Sequence, residues 1–170
     1  MKRKKNGLIS LLLSICMFIT MAFSAYAAEG QNDEQLQPGW IKVNEYRYEN
    51  PTTGEYFVIH PNLARASSTS VTFDFKIQYS FDCPTKFNAS GTSASVKSSA
   101  HVEDSSGAWI GGTSYGYAIY VGSKKASFTT GNSSATKKVS GLRSGSSYTL
   151  SASTLNKMGS YYVVGSATVQ

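Results

Sequence analysis

The sequence predicts an all-β protein, an antiparallel β-sandwich of about seven strands between residues 71 and 170. Apolar and polar residues alternate with a period of two along several segments there, which puts successive side chains on opposite faces of a strand. After the first 27 residues, no stretch shows the 3.6-residue period of an amphipathic helix. Turn-forming clusters of Gly, Asn, Asp and Ser separate the alternating segments at short intervals, a spacing typical of sandwiches and barrels.

The first 27 residues have the three parts of a secretory signal peptide. Residues 2–5 are basic, residues 8–23 are apolar, and the sequence Ala-Tyr-Ala at 25–27 matches a small-x-small cleavage site. We therefore expect a secreted, extracellular protein that is cleaved near Ala27. We expect no transmembrane segment in the mature chain.

Removal of the signal peptide lowers the formal net charge from +6 to +2, because four of the sixteen Lys and Arg residues lie within it. The remaining charge is uneven, with −3 on residues 28–66 and +5 on residues 67–170. A basic domain behind an acidic segment indicates anionic partners, or else it is the solubility charge of an exported protein. A charge of +2 gives little capacity to bind phosphates, and we expect no nucleic-acid partner.

The clearest strand covers residues 71–81, where every odd position is apolar and every even position is polar. We expect one long strand that ends at Cys83-Pro84, because proline has no N–H for the β-ladder. Shorter strands follow, separated by turn residues, at 93–102, 115–121, 126–130, 135–142, 148–155 and 161–169.

Residues 28–66 form an acidic segment ahead of the sandwich domain at 67–170. Two apolar stretches flank the sequence Asn-Pro-Thr-Thr-Gly and predict a β-hairpin over residues 41–59. Residues 28–38 have the composition of a disordered segment, and residues 64–70 that of a linker. The sequence leaves open whether the hairpin packs onto the domain or belongs to a removable pro-segment.

Residues 142–148 have the spacing Leu-x-x-Gly-x-x-Tyr and lead into an alternating strand. This motif resembles the tyrosine corner of immunoglobulin-like and fibronectin type III sandwiches, and the resemblance extends over about residues 117 to 169. It implies a sandwich of that type, in which Leu142 fills the core, Gly145 permits a tight crossover between sheets, and the Tyr148 hydroxyl bonds upstream backbone. Leu150 stands where antibody-type domains have a cysteine, so the disulfide-bonded subclass is excluded.

Residues 109–117 combine aromatic side chains with glycines. Exposed rings of Trp109 and Tyr115 would form a platform on which sugar rings stack, with nearby Ser and Thr hydroxyls as hydrogen-bond partners. The other interpretation is a core tryptophan at the start of a central strand. We favour core positions for Trp109 and Tyr117.

Four lysines flank the short strand predicted at 126–130: Lys124, Lys125, Lys137 and Lys138. On neighbouring strands they would form one cationic patch facing an anionic polymer. Alternatively, they protect strand edges against unwanted pairing. Both interpretations stay open.

Cys83 is the only cysteine of the mature chain, since Cys16 lies within the signal peptide. We expect Cys83 to be buried as a small apolar side chain, although pairing with a second chain stays open. A thiol nucleophile would need His60 or His101 within reach, and the residues around Cys83 do not resemble such a site. His101 and Glu103 share a strand face, but no further histidine or cysteine completes a metal site. We expect no cofactor, no metal and no catalysis.

These observations together predict a secreted, non-catalytic β-sandwich that binds an anionic cell-surface polymer or a carbohydrate. The alternative is a secreted antimicrobial or membrane-active effector, which the basic charge and small size also allow. The contact surface would combine Trp109, Tyr115, Lys124, Lys125, Lys137 and Lys138.

Overall fold

The computed structural model describes residues 36–61 and 70–170, and these residues form eleven β-strands and no helix. The expected signal peptide, residues 28–35 and almost all of the expected linker lie outside this part of the chain. The strands are β1 Ile41–Asn44, β2 Arg47–Asn50, β3 Glu55–His60, β4 Val71–Ile77, β5 Ser80–Asn88, β6 Ser93–Glu103, β7 Gly116–Val121, β8 Lys124–Thr129, β9 Gly131–Ser140, β10 Ser147–Thr154 and β11 Tyr162–Val169.

The strands form two antiparallel sheets, a seven-stranded sheet in the order β1-β2-β3-β4-β11-β6-β9 and a four-stranded sheet in the order β5-β10-β7-β8. The core lies between them. The ring centroid of Phe75 on β4 is 5.8 Å from that of Tyr117 on β7, and the Phe57 and Phe81 centroids, on β3 and β5, are 5.2 Å apart. The prediction of an all-β, antiparallel protein is confirmed, and the sheets are arranged like a sandwich.

The long strand predicted at residues 71–81 is in fact two strands that belong to different sheets. β4 ends at Ile77 and β5 begins at Ser80, and the Gln78 N–H between them donates a 2.6 Å hydrogen bond to the Glu55 carboxylate. Phe81 faces the core again, with 0% of its surface exposed. Ile77 and Phe81 both face the core, but Tyr79 between them is 61% exposed, so the expected inward position of every odd residue is wrong at the change of sheet. Eight strands lie between residues 70 and 170.

Pro84 does not end β5, which continues to Asn88. β5 is an edge strand, and its pairing with β10 shifts between Cys83–Leu150 and Lys86–Thr149, which leaves two residues of β5 in a bulge. Edge strands and bulges are the places where the missing N–H of proline removes no essential ladder bond. The expectation that Pro84 stops the strand is therefore wrong.

β1, β2 and β3 continue the seven-stranded sheet across the expected domain boundary at residue 67, because β3 pairs with β4. The chain turns between β2 and β3, where Asn50 Oδ1 accepts a 3.1 Å hydrogen bond from the Thr52 N–H. Trp40 stacks on Phe81 with ring centroids 4.0 Å apart, and the Tyr48 centroid lies 5.6 Å from the same ring. This part of the acidic segment thus contributes side chains to the core.

The hydrogen bond expected of a tyrosine corner is present between β9 and β10. The Arg143 N–H donates to the Tyr148 hydroxyl at 2.7 Å. Leu142 is buried, and Gly145 has a φ of +77°, which a residue with a side chain rarely adopts. A Cβ on Gly122 would lie 2.8 Å from the Tyr148 ring, so the ring packs directly against glycine backbone.

Candidate functional site

The outer face of the seven-stranded sheet brings together side chains that are far apart in the sequence. Strand pairing aligns Tyr56 of β3, Lys76 of β4, Val164 of β11 and His101 of β6 in one row. Paired residues project from the same face of a sheet, so these side chains are neighbours. Two residues along the strands, a second row consists of Asp74, Ser166 and Ser99.

Trp109 lies beside β6, opposite Glu103 and therefore two residues along the strand from the first row. The chain turns back after Glu103, Trp109 forms a bridge opposite Glu103, and the Ile110 N–H donates a 2.9 Å hydrogen bond to the Val102 carbonyl. Trp109 is 59% exposed, so the favoured core position for this residue is wrong. Tyr117 is 1% exposed, and its core position is confirmed.

Asp104 holds the turn that presents Trp109. Its Oδ1 accepts hydrogen bonds from the Ser106 hydroxyl at 2.6 Å, the Ser106 N–H at 2.8 Å and the Ala108 N–H at 3.0 Å. These bonds, that of the Ser106 hydroxyl most of all, hold the pKa of the Asp104 carboxyl below its ordinary value. The Trp109 ring is therefore exposed to solvent while the backbone that carries it is anchored.

An open groove of about 690 Å³ lies on this face, bordered by Tyr56 and Trp109. Its lining includes four polar side chains and one aliphatic side chain: Asp74, Ser99, His101, Ser166 and Val164. A smaller hollow of about 160 Å³ shares Trp109 and His101 with the groove and is otherwise lined mainly by residues 110–113. Trp109 thus borders both depressions.

Two irregularities of the backbone shape the groove. The pairing of β6 with β9 jumps from Ser98–Ala135 to Ala100–Gly131, so a bulge in β9 interrupts the ladder beside Ser99. Across β6, a Cβ on Gly165 would lie 2.3 Å from the Ser99 carbonyl oxygen. Only glycine permits β11 and β6 to approach this closely.

Hydrogen-bonded pairs of charged and titratable groups border the groove. His60 Nε2 lies 2.7 Å from Asp74 Oδ2. Glu103 is shared, with Oε2 3.2 Å from the Lys76 ammonium and Oε1 2.9 Å from His101 Nε2. His101 and Glu103, considered above as metal ligands, therefore bond to each other, and Glu103 also pairs with Lys76. Residues 36–61 and 70–170 contain no group of three or more side chains suited to hold a metal.

Carboxylates set the potential at the Tyr56 end of the groove. Burial raises the pKa of the Tyr56 hydroxyl, and the Glu103 and Asp74 carboxylates raise it further, against the opposite effect of Arg47. Among the described lining residues, Asp74 is the one carboxylate and no lysine or arginine occurs. Lys76 lies in the same row beside this lining, and its ammonium is 3.2 Å from the Glu103 carboxylate, so its charge is already paired.

Lys125 and Lys138 lie on opposite faces of the molecule. Lys125 pairs with the partly exposed Tyr120 on the outer face of the four-stranded sheet. Lys138 pairs with the partly exposed Ser95 on the outer face of the seven-stranded sheet. The structure does not bring these two lysines into one patch.

Lys124 and Lys137 occupy core-side positions on β8 and β9, the edge strands of the two sheets. They pair with Val121 and Val96, each 0% exposed, yet both lysines are exposed because no further strand covers them. A lysine that faces inward on an edge strand prevents addition of another strand. Their positions fit edge protection.

Tyr115 is half-buried, and its ring centroid lies 6.4 Å from that of Tyr161. Its N–H donates a 2.9 Å hydrogen bond to the Thr130 hydroxyl. The described residues that line the groove do not include Tyr115. Of the six residues predicted to contact a ligand, the groove includes Trp109.

The burial predicted for Cys83 is confirmed, because only 1% of its surface is exposed. It lies on the core side of β5 and pairs with the fully buried Leu150. His60 and His101 lie on the outer face of the other sheet. That sheet separates the thiol from both imidazoles, so no nucleophile and base pair is formed.

The chain is thus an all-β protein of two facing antiparallel sheets, with an open groove flanked by aromatic rings on the larger sheet. No helix among the described residues has the length and hydrophobicity that crossing a membrane would require. No protein-family model and no curated protein matches the chain. Among solved structures, it is similar to the K1 cleaved adhesin domain of Lys-gingipain from Porphyromonas gingivalis W83, with 12% identity and a TM-score of 0.32 over 81% of this chain and 94% of that one. A likeness this distant assigns no function.

Proposed function

We propose that this protein is a secreted, non-catalytic carbohydrate-binding module whose contact surface is the groove between Tyr56 and Trp109. Trp109 carries the proposal. An indole that is 59% exposed, on a backbone held by the Asp104 turn, offers a flat apolar face to solvent. The apolar face of a sugar ring is complementary to such a surface.

The polar side chains of the groove suit sugar hydroxyls. Asp74 and His101 supply acceptors or donors, and the hydroxyls of Ser99 and Ser166 supply both. A few polar groups beside an apolar contact are the usual composition of a ligand site. Because the groove is open along its length, it favours a polymer over an enclosed small molecule.

The charges favour a neutral glycan over an anionic one. The described lining contains a carboxylate and no lysine or arginine. Of the four lysines that suggested an anionic polymer, Lys124 and Lys137 are on strand edges and Lys125 is on the other sheet. Lys138 shares the face of the groove but is outside its described lining. An anionic wall polymer would therefore gain little attraction in this groove.

The arrangement of the titratable groups supports binding without catalysis. Hydrolysis of a glycosidic bond ordinarily uses two carboxyl groups that flank the bond, one of them protonated. Here Glu103 is engaged by both Lys76 and His101, and Asp74 is paired with His60. Both carboxylates are thus held by positive or hydrogen-bonding partners.

The test compares Trp109→Ala with Tyr79→Ala, an aromatic residue 61% exposed and outside the described groove lining. Binding of the secreted protein to insoluble neutral polysaccharides, cellulose and chitin, is measured by depletion from solution. We expect wild type and Tyr79→Ala to bind and Trp109→Ala to lose about tenfold in affinity, or about 1.4 kcal/mol. Equal binding by Trp109→Ala, or no binding by wild type, would overturn the proposal.

A second variant examines the anionic-polymer alternative. Replacing Lys124, Lys125, Lys137 and Lys138 with glutamine removes four positive charges and leaves the groove intact. We expect unchanged binding to the neutral polysaccharides. If this variant alone loses binding to an anionic wall polymer that wild type retains, the lysines and not the groove form the contact surface.

One observation favours the membrane-active alternative. Ile41, Val43 and Tyr46, on β1 and the turn after it, are 50%, 48% and 39% exposed and form a small apolar edge. Dye release from anionic liposomes tests this alternative directly. Release by wild type that is lost in a variant with serine at positions 41 and 43 would support an effector; no release supports a binding module.

For the fold, we propose an immunoglobulin-related core formed by β6, β7, β9 and β10. β6 pairs with β9 in one sheet, β7 pairs with β10 in the other, and the tyrosine-corner bond lies between β9 and β10. In immunoglobulin folds the last two strands share a sheet, whereas β10 and β11 here lie in different sheets. The relationship proposed is therefore to the four central strands.

A further inference from the structure

We infer that the groove binds a linear glycan chain laid across the strands, with Tyr56 and Trp109 as aromatic contacts at its two ends. This inference rests on the proposed carbohydrate-binding function and specifies the ligand by length and direction. It follows from the positions of the two rings, from the floor between them and from the way each ring is held.

Tyr56 and Trp109 are separated by most of the width of the sheet. From Tyr56 on β3 the row crosses β4 and β11 to His101 on β6. Trp109, opposite Glu103, lies one further backbone spacing beyond β6 and two residues along it. Four spacings between neighbouring backbones amount to about 19 Å. Both side chains nevertheless line the same groove. A single sugar ring can touch one of them, whereas contact with both requires a chain of several units.

The floor between the two rings is low and polar. The side chain of Lys76 is 14% exposed because Glu103 holds its ammonium, and Val164 is 8% exposed. Asp74, Ser99 and Ser166 lie beside this path and supply hydrogen bonds to the middle of the chain.

Each terminal ring is fixed by its own surroundings. The Arg47 guanidinium carbon lies 5.5 Å from the centroid of the Tyr56 ring, and Arg47 in turn pairs with Glu49. At the other end, the bridge to Glu103 and the Asp104 turn hold the Trp109 backbone. A packed Tyr56 ring and a Trp109 carried on an anchored backbone favour ligands long enough to reach both, because little backbone entropy is lost on binding.

The length requirement is tested by titrating the mature protein with two series of probes, β-1,4-linked glucose oligomers and β-1,4-linked N-acetylglucosamine oligomers, from disaccharide to hexasaccharide. Isothermal calorimetry gives the affinity at each length. For the series that binds, we expect the affinity to rise at least tenfold from the disaccharide to a length that reaches both rings and then to stay constant.

Substitutions of Tyr56 and Trp109 test the contribution of each ring to glycan binding. Tyr56→Ala should abolish the rise with length while it leaves the disaccharide affinity within twofold, and Tyr56→Phe should retain the rise because the ring remains. Trp109→Ala should weaken every length. A thermal unfolding curve for each variant shows that the fold is intact.

Two outcomes separate this inference from the function on which it rests. If wild type binds the disaccharide as tightly as the hexasaccharide, or if Tyr56→Ala weakens all lengths by one factor, the chain across the strands is overturned and carbohydrate binding remains. If no oligomer of either series binds and neither insoluble polysaccharide binds, both the inference and the proposed function fail.

Discussion

The Arg143 N–H donates a 2.7 Å hydrogen bond to the Tyr148 hydroxyl and so ties the turn between β9 and β10 to the first strand residues that follow it. The same turn carries the chain from the seven-stranded sheet to the four-stranded sheet. Gly145 donates its N–H to the Ala89 carbonyl at 2.7 Å, which links the turn to the end of β5 as well. One hydroxyl therefore helps to fix the crossover between the two sheets.

Replacement of Tyr148 with phenylalanine should lower the free energy of unfolding by about 0.5–1.5 kcal/mol. The bond is solvent-exposed, so water can replace the lost partner and the value should fall in the lower half of that range. Equilibrium denaturation in urea measures the change. Tyr79→Phe, at a residue 61% exposed, is the control and should leave stability unchanged. Equal stability of the two variants would contradict a structural role for the bond.

Gly165→Ala should destabilise the protein by about 3 kcal/mol, because the new methyl group would overlap the backbone between β11 and β6. The distance from a Cβ to the Ser99 carbonyl oxygen would be 2.3 Å, which the sheet can relieve only by moving one strand. Gly91→Ala is the matched control, since a Cβ there meets nothing within 4 Å, and its effect should stay within about 0.5 kcal/mol. Thermal unfolding of both variants provides the comparison, and a tolerated Gly165→Ala would show that the two strands are not this close.

The Asp104 turn should respond to pH. Its pKa is lowered in the folded protein, so its contribution to stability is present above the ordinary value of 3.8 and is lost as the pH falls through the lower folded value. In a Trp40→Phe background, iodide quenching of Trp109 should therefore stay constant near neutral pH and change only in acid. In the Asp104→Ala variant, iodide should quench Trp109 fluorescence more strongly than in the parent at every pH, and the change in acid should be absent. Asp82→Ala, at an exposed aspartate on β5, should behave like its parent.

Loss of the core-side lysines should promote self-association. In a variant with Lys124→Gln and Lys137→Gln, the edge strands β8 and β9 lose the charges that oppose pairing with another molecule. Sedimentation velocity should show dimers or larger species at concentrations where wild type is monomeric. Lys97→Gln with Lys157→Gln makes the same change of charge away from these positions and should stay monomeric. Identical sedimentation of both variants would argue against edge protection.

Features set by local sequence were predictable. The inward positions of Phe73, Phe75 and Ile77 follow from alternation, which is a property of the strand itself. The Tyr148 bond is formed within a turn of a few residues, so its motif suffices to predict it. The burial of Cys83 follows from the apolar character of its side chain.

Features set by pairing between distant strands were not predictable. At the change of sheet the apolar Tyr79 keeps the sequence pattern uninterrupted although its side chain is 61% exposed, so the pattern gives no sign of the change. Tyr56 and His101 lie in one row only because β4 and β11 join their strands into the same sheet. No local signal specifies that order.

Trp109 failed as a sequence prediction for a different reason. An aromatic residue before a strand is equally compatible with the core and with the surface, and the outcome depends on the preceding turn. The three hydrogen bonds accepted by Asp104 return the chain antiparallel to β6 and leave the indole outside. The sequence Asp-Ser-Ser-Gly indicated a turn without indicating its direction.

The central claim, that Trp109 contacts a carbohydrate, is tested most directly by its own fluorescence. The sequence has two tryptophans, and Trp40 is 8% exposed and stacked on Phe81, so Trp40→Phe leaves Trp109 as the single reporter. On titration with a neutral hexasaccharide that wild type binds, the emission should shift to shorter wavelength and iodide quenching should fall, because a sugar ring covers the exposed indole. Saturation of binding with neither the emission nor the quenching changed would contradict the claim.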